Sequence, residues 1–221
     1  MRDICLLGAT GSIGTQVLEI IKGNKEYRLR NIAFGKNTEL GSKIIEEFRP
    51  EYVSVLSESD MAVLQRKHPG VKFGFGEEGL LQAATYAQGT LINALVGMVG
   101  VLPTVAAIKN GMRILLANKE TLVVAGEIIN QLLKEYHTEL IPIDSELSAL
   151  HQCLHAGSGD VERLIITASG GPFRNLTRDE LENVSVEDAL RHPNWKMGPK
   201  ITIDTATMAN KGLEVIEAHH L

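Results

Sequence analysis

The sequence is poor in cysteine. Only Cys5 and Cys153 occur among its 221 residues, and they form neither a CxxC pair nor part of a Cys-rich framework. Proteins that depend on disulfides are typically secreted, so this composition excludes a disulfide scaffold and favours a reducing compartment. We therefore expect a cytoplasmic protein.

A strong excess of one charge and a long apolar run are also missing. The formal net charge of -5 gives no electrostatic reason to expect nucleic acid or an anionic membrane as a partner. The most apolar segment, residues 91–108, is interrupted by Asn93, Gly97, Gly100 and Pro103, which is typical of a strand, a turn and a helix rather than of a membrane span. Because Met1 leads almost directly into a strand-like run, we expect no targeting peptide.

Seven short β-prone apolar runs alternate with amphipathic stretches in the first part of the chain. This alternation indicates βαβ units on a parallel sheet. We predict an α/β fold in which residues 1–143 form a Rossmann-like, doubly wound, mostly parallel sheet that binds a dinucleotide. The seven runs are residues 4–7, 30–34, 52–56, 71–75, 91–96, 113–116 and 139–143.

The pattern changes after about Asp144. Loops rich in glycine or proline at residues 168–175 and 192–199 separate strand candidates at residues 164–167 and 201–204. We predict a second α/β domain, catalytic and incomplete, at residues 144–221.

Two capping-box patterns predict short helices in this second domain. They are Thr177-x-x-Glu180 and Ser185-x-x-Asp188. Residues 208–221 have helical spacing but no C-cap, so we expect the chain to stop before the domain is complete.

A glycine-rich turn, Gly-Ala-Thr-Gly-Ser-Ile-Gly at residues 8–14, lies between the first strand-like run and a helical stretch. Glycines permit a tight turn and close approach of the backbone, and free N–H groups at a helix start can bind a pyrophosphate. The spacing is GxxGxxG rather than GxGxxG, so a turn that binds nothing is the alternative.

The end of the second strand indicates which dinucleotide is bound. A ribose with a free 2′-hydroxyl usually meets Asp or Glu about 20 residues beyond the glycines. This sequence has Gly35, Lys36 and Asn37 there, whose donors fit a 2′-phosphate. We predict NADP over NAD, and the alternative is a solvated turn lysine.

Carboxylates in two places indicate a metal site. Asp144 and Glu146 follow the seventh run, and in an extended backbone they would face the same side; a plain helix cap is the alternative. Asn210, Glu214 and Glu217 share one face of the last predicted helix, where a solvated face is the alternative. Carboxylates without Cys or His neighbours favour Mg²⁺ or Mn²⁺.

Two loops offer donors for a phosphate group. Residues 168–172, Ala-Ser-Gly-Gly-Pro, can form an anion-binding nest of backbone amides. Thr205, Asn210 and Lys211 add hydroxyl, amide and ammonium donors. Together the two loops can hold one phosphate monoester, whereas each loop alone is more often a plain turn than a ligand site.

Residues 191–199 form a turn-rich segment with the only tryptophan, Trp195. A tryptophan in such a loop can form a lid that excludes water, or it can anchor the loop to the core. His192 can donate to a phosphate or hydroxyl, although a lone histidine is usually structural.

Together the motifs resemble, in order and spacing, the 1-deoxy-D-xylulose 5-phosphate reductoisomerase family. They are GATGSIG, LLANKE, IDSE, ASGGPF, RHPNWKMG and DTATMANKGLEVIEA. The resemblance covers almost the whole chain and implies reduction and isomerisation of 1-deoxy-D-xylulose 5-phosphate, a phosphorylated ketose, to 2-C-methyl-D-erythritol 4-phosphate. This step of non-mevalonate isoprenoid biosynthesis uses NADPH and Mg²⁺ or Mn²⁺. It also implies a homodimer when the protein is complete.

The resemblance implies a role for each motif residue. NADPH would bind Thr10, Gly11, Ser12, Ile13, Gly35, Lys36, Asn37, Asn118 and Glu120. Catalysis would use Lys119 and the metal ligands Asp144, Glu146 and Glu214. Substrate would bind Ser145, Ser169, His192, Trp195, Thr205, Asn210 and Lys211, under a lid bearing Trp195 and Met197.

The chain departs from the family pattern in three places. Thr205 replaces a usual serine but keeps the hydroxyl, and Leu147 stands where a histidine is common. The family also continues into a C-terminal helical region that this chain lacks.

Other readings of the sequence have less support. A semialdehyde-type reductase needs a nucleophilic cysteine, and Cys153 has no activating pattern around it. A short-chain dehydrogenase needs Tyr-x-x-x-Lys, which is missing. A non-catalytic NADP-binding fragment of the reductoisomerase remains the alternative interpretation.

Overall fold

The structure is a computed structural model that describes residues 1–157, 159–194 and 197–221. It divides into two compact units, Met1–Asp144 and Ser145–Leu221. Asp144, which we expected to open the second domain, is the last residue of unit 1.

A seven-stranded parallel sheet forms the centre of unit 1, in the order β4-β3-β2-β1-β5-β6-β7. All seven predicted strands and the α/β class are confirmed. Because the chain builds outward from β1 on one side and from β5 on the other, the switch point lies between these two strands. The strands are β1 Arg2–Leu7, β2 Tyr27–Ala33, β3 Tyr52–Val55, β4 Lys72–Phe75, β5 Thr90–Asn93, β6 Arg113–Leu116 and β7 Leu140–Pro142.

Helices connect the strands and cover both faces of the sheet. Side chains alternate along β1, so Ile4 and Leu6 enter one core cluster while Cys5 and Leu7 enter the other. The first three helices contribute to the Ile4 cluster and the next three to the Cys5 cluster. They are α1 Ser12–Gly23, α2 Thr38–Phe48, α3 Glu58–Lys67, α4 Gly76–Thr85, α5 Val101–Lys109 and α6 Glu120–Glu135, with a 3-10 turn at Met98–Gly100.

Unit 2 consists of helices and loops over its described residues, where no strand is found. Both predicted capping boxes are present and start α8 and α9. The predicted terminal helix is α11. The helices are α7 Ser145–Ala156, α8 Arg178–Leu181, α9 Val186–Ala189, α10 Pro199–Ala206 and α11 Ala209–His220.

Both strand candidates of unit 2 are wrong. Residues 201–204 lie inside α10, where Pro199 occupies the first turn and the Thr202 hydroxyl donates to the Gly198 carbonyl at 2.8 Å. Helix-start chemistry therefore outweighs the strand-like alternation of isoleucine and threonine. Residues 164–167 have no neighbouring strand in the described part of unit 2, and Ile165 is exposed.

No helix in residues 1–157, 159–194 and 197–221 is long and apolar enough to cross a membrane.

Burial of strand side chains stabilises unit 1. Ile114 on β6 is fully buried, so Ile114→Ala should lower the free energy of unfolding by about 2–5 kcal/mol. Ile128→Ala on the exposed face of α6 is the control and should change it by less than about 0.5 kcal/mol. Urea unfolding of both variants makes the comparison, and equal losses would contradict the assigned core.

Candidate active site

The turn between β1 and α1 lies at the switch point of the sheet. Gly8 has φ +89°, and a Cβ there would lie 2.3 Å from the carbonyl oxygen of Ala94, just beyond β5. A Cβ on Gly14 would lie 2.2 Å from the carbonyl oxygen of Gly8. The close approach of turn, helix and neighbouring strand end therefore requires glycine at both positions.

The first turn of α1 offers backbone donors to an anion. Its N-cap is Gly11, which has no side chain to accept from the helix amides, and no acidic residue lies in the turn. The first N–H groups of a helix have no intrahelical partner. Gly11, Ser12 and Ile13 are exposed and Thr10 is half-buried, so the predicted pyrophosphate loop is open to a ligand.

The residues after β2 lie at the same edge of the sheet, because Leu7 of β1 pairs with Ala33 of β2. Gly35 and Lys36 are exposed. The Asn37 side-chain oxygen accepts from the Leu40 amide at 3.1 Å and caps α2. This bond commits the oxygen of Asn37 to the fold, and its amide NH₂ remains the group suited to a ligand.

Asn118 follows β6 and is 1% exposed. Its side-chain amide donates to the carbonyls of Leu95 and Gly97, each at 2.9 Å. Its oxygen accepts from the Thr121 hydroxyl at 2.5 Å. The side chain therefore fixes the loop after β5, and its predicted role at the cofactor stays a prediction, as does that of half-buried Glu120.

Asn93, at the end of β5, is a contributor to this edge that the sequence analysis missed. It is fully buried and donates to the Gly100 carbonyl at 3.0 Å and the Thr104 hydroxyl at 2.8 Å. An asparagine inside an otherwise apolar strand run was the available signal, because buried amides need partners.

Lys119 and Asp144 form a largely buried ion pair at the ends of β6 and β7. The Lys119 ammonium lies 2.7 Å from Oδ2 of Asp144, and the two side chains are 7% and 14% exposed. The strands are neighbours, with Leu116 opposite Pro142. Parallel pairing thus brings two predicted catalytic residues together.

In unit 2, Lys211 brings together two of the predicted metal ligands. Its ammonium lies 3.1 Å from Oε1 of Glu146 and also contacts Oε2 of Glu214. Asn210 donates to Oε1 of Glu214 at 2.6 Å. Glu146 lies in α7 rather than in an extended segment. The prediction that Asp144 and Glu146 face the same side of an extended backbone was therefore wrong, and helix packing positions the Glu146 carboxylate.

The pKa of Glu146 is lowered. Burial acts to raise it, but this is outweighed by the Ser145 hydroxyl and by the hydrogen bond and charge of Lys211. The Ser145 hydroxyl donates to Oε2 of Glu146 at 2.5 Å. The Glu146 carboxylate is therefore anionic near neutral pH.

Ser169 and His192 form a second polar pair in unit 2. Ser169 Oγ lies 3.0 Å from Nε2 of His192, and the Asn194 amide donates to Nδ1 of that ring at 3.2 Å. With Nδ1 accepting, the neutral ring donates from Nε2 to Ser169. The Gly171 amide also donates to Ser169 Oγ, at 3.4 Å, which leaves the serine hydrogen as a donor.

The remaining predicted substrate residues have different surroundings. The Thr205 hydroxyl donates to the Ile201 carbonyl at 2.7 Å within α10. Met197 is half-buried and Leu147 is buried. Trp195 lies outside the described residues.

Comparison with known proteins decides the family. Residues 4–126 match the family model described as 1-deoxy-D-xylulose 5-phosphate reductoisomerase, and residues 140–221 match the model of its C-terminal domain. The chain belongs to the 1-deoxy-D-xylulose 5-phosphate reductoisomerase family. The resemblance drawn from the motifs is thereby confirmed.

Curated reductoisomerases resemble the chain over its whole length. It is 54% identical to the protein of Macrococcus caseolyticus over 224 residues and 52% identical to that of Listeria monocytogenes. These matches cover 100% of this chain and 59% of each relative. The chain thus spans about 59% of the length of the relatives that it matches.

Solved reductoisomerase structures share the fold. One of them is a reductoisomerase in complex with NADPH, fosmidomycin and magnesium, and it matches with a TM-score of 0.89 at 37% identity. The match covers 100% of this chain and 58% of the reductoisomerase chain. The Zymomonas mobilis reductoisomerase in complex with NADPH also has a TM-score of 0.89 at 37% identity, over 99% of this chain and 57% of its own.

Gly14→Ala tests the close approach in the glycine turn. The added methyl meets the Gly8 carbonyl, so the free energy of unfolding should fall by about 1–3 kcal/mol. Gly23→Ala is the matched control, because it lies in the same helix with nothing within 4 Å of the new Cβ. Thermal unfolding should show a lower midpoint for Gly14→Ala alone, and an unchanged midpoint for both would contradict the geometry.

Proposed function

We propose that the chain supplies the cofactor-binding and catalytic parts of an enzyme that converts 1-deoxy-D-xylulose 5-phosphate to 2-C-methyl-D-erythritol 4-phosphate with NADPH and Mg²⁺ or Mn²⁺. Unit 1 binds NADPH, and unit 2 binds the metal and the phosphorylated substrate. The observation that carries the proposal is the convergence of Glu146 and Glu214 on one cationic group, Lys211, in a chain of this family.

The cofactor assignment rests on the edge of the sheet at the switch point. The glycine turn brings the backbone close to the strand ends, and the start of α1 offers N–H groups without a competing carboxylate. Lys36 supplies a positive charge beyond β2, where an acidic residue would favour NAD. Thr10, Gly11, Ser12, Ile13, Gly35 and Asn37 complete the proposed cofactor contacts, with Asn118 and Glu120 beyond β6.

The metal assignment rests on the chemistry of the donors. Carboxylate oxygens are the ligands that Mg²⁺ and Mn²⁺ prefer. Glu146 and Glu214 both contact the ammonium of Lys211, which supports the proposal that their oxygens bind a cation. We propose Asp144, the residue before Ser145 in the chain, as the third ligand, as the family resemblance implies.

The substrate assignment rests on donors in unit 2. Ser169, oriented by His192, keeps a hydroxyl hydrogen for a phosphate oxygen. We propose that Lys211, Asn210 and Ser145 also bind substrate, with Thr205 and Trp195 as further contacts. Contacts that hold the phosphate also orient the reacting carbons. Binding energy from the phosphate can in this way accelerate the rearrangement.

Charge placement gives Lys119 its proposed role. The Asp144 carboxylate holds its ammonium in a largely dehydrated position at the end of β6, where it can stabilise negative charge on a substrate oxygen. When bound, the metal polarises the substrate carbonyl as a Lewis acid, and NADPH supplies the hydride for the reduction.

For the complete protein we also propose a cytoplasmic location and a homodimer. The low cysteine content supports the location, and the family resemblance supports the dimer. The second candidate function is a non-catalytic NADP-binding fragment, and the specific observation that favours it is coverage of 59% of the relatives' length.

NADPH titration of the chain, followed by nucleotide fluorescence, tests the cofactor site. Lys36→Gln should weaken NADPH binding by roughly tenfold, because a charged hydrogen bond contributes about 1.5–3 kcal/mol, and should leave NADH binding unchanged. Lys25→Gln removes another exposed lysine, which lies before β2 at the opposite edge of the sheet, and should have no effect. Equal NADPH affinity in both variants would contradict the 2′-phosphate assignment.

Glu146→Gln tests the catalytic role. With NADPH, Mg²⁺ and 1-deoxy-D-xylulose 5-phosphate, the variant should oxidise NADPH at least about 100-fold more slowly than the parent, since metal polarisation supplies several kcal/mol. Glu187→Gln, on the exposed start of α9, is the control. Near-normal turnover of Glu146→Gln would refute the metal assignment.

The same assay separates the two candidate functions. If the parent chain binds NADPH but never oxidises it with substrate and metal present, the chain is a binding fragment. The Glu146→Gln comparison is then made in a complete relative at the corresponding position.

A further inference from the structure

Lys211 lies where a metal ion would share the carboxylates of Glu146 and Glu214. Its ammonium contacts one oxygen of each, at 3.1 Å for Glu146. The three side chains are 16%, 21% and 1% exposed for Lys211, Glu146 and Glu214. Two carboxylates this poorly hydrated repel each other strongly unless a cation lies between them.

The second oxygen of each carboxylate is held by a neighbouring side chain. Asn210 donates to Oε1 of Glu214 at 2.6 Å, and Ser145 donates to Oε2 of Glu146 at 2.5 Å. Each carboxylate therefore presents one oxygen to the cation and has the other fixed. Four side chains on two helices, α7 and α11, thus form a prearranged cradle for a single positive charge.

The third proposed ligand has its own lysine in unit 1. Lys119 pairs with Asp144 at 2.7 Å. Together the three carboxylates carry three negative charges, and these two ammonium groups neutralise two of them. Every proposed metal ligand is thus paired with a lysine.

We propose that Lys211 is a resident placeholder cation, which keeps Glu146 and Glu214 ordered until a divalent ion displaces its ammonium. This inference rests on the metal binding in the proposed function. A lysine suits this placeholder role because its charge is compact and its side chain is flexible. The ammonium can therefore leave the two carboxylates without moving the helix. A divalent ion displaces it because double charge and direct coordination at about 2.0–2.1 Å, the Mg²⁺–oxygen distance, bind carboxylates more strongly.

The placeholder lowers the apparent affinity for the metal, because each binding event must expel a cation from its carboxylate partners. Removing the ammonium removes the competitor and raises the negative charge at the site. Metal binding then also relieves the repulsion between the two glutamates, so the metal should stabilise the fold of a variant without Lys211 more than it stabilises the parent.

Mn²⁺ titration of the 221-residue chain, followed by the electron paramagnetic resonance signal of free Mn²⁺, tests the inference without any turnover. Lys211→Met should bind Mn²⁺ at least about tenfold more tightly than the parent, which corresponds to about 1.4 kcal/mol. Lys200→Met is the matched control, since Lys200 pairs with Asp204 on α10, and its affinity should equal that of the parent. Unchanged or weaker Mn²⁺ binding by Lys211→Met would overturn the placeholder role.

Two further variants distinguish the effect of the lost charge from an effect of misfolding. Lys211→Gln keeps a polar side chain in the cradle and should also bind Mn²⁺ more tightly, whereas Lys211→Arg keeps the charge and should not. Thermal unfolding with and without Mn²⁺ should show a larger metal-induced rise in midpoint for Lys211→Met than for the parent. An equal or smaller rise would contradict the inference.

Glu214→Gln separates this inference from the proposed metal site. If the parent binds Mn²⁺ and Glu214→Gln does not, the metal site stands, and the Lys211 variants alone decide the placeholder role. If Glu214→Gln binds Mn²⁺ as well as the parent does, the metal assignment itself fails, and the placeholder role fails with it.

Discussion

The proposed metal site depends on keeping three carboxylates charged in places with little water. A lone carboxylate at such a position would be costly, and neutralising it by protonation would remove its value as a ligand. The molecule meets this constraint with lysines: Lys119 accompanies Asp144 in unit 1, and Lys211 accompanies both Glu146 and Glu214 in unit 2. Ion pairs with lysine therefore hold the proposed metal ligands in their charged form.

The sheet of unit 1 determines which side chains can take part. Parallel strands end at one edge, so the glycine turn after β1, Lys36 after β2, Lys119 after β6 and Asp144 after β7 all lie along that edge. The buried amides of Asn93 and Asn118 fix the loops between them. In this part of the molecule, short-range sequence signals and topology are enough to position the candidate site.

The sequence predicted unit 1 well and unit 2 less well, for physical reasons. Strands buried on both faces appear as apolar runs, and all seven were found. In unit 2 the alternation in residues 201–204 indicated a strand, yet Pro199 in the first turn favours a helix. Ion pairing between Lys211 and Glu146, which are 65 residues apart, is a long-range contact that spacing along one helix could not reveal.

The most direct test is a crystal structure of the chain grown with Mn²⁺, with anomalous scattering used to locate the ion. We predict an anomalous peak coordinated by Glu146 and Glu214, with Asp144 as the third carboxylate and the Lys211 ammonium moved away from both glutamates. A fully loaded crystal in which Lys211 still bridges the two glutamates, and the ion lies elsewhere, would contradict the assignment of the metal site.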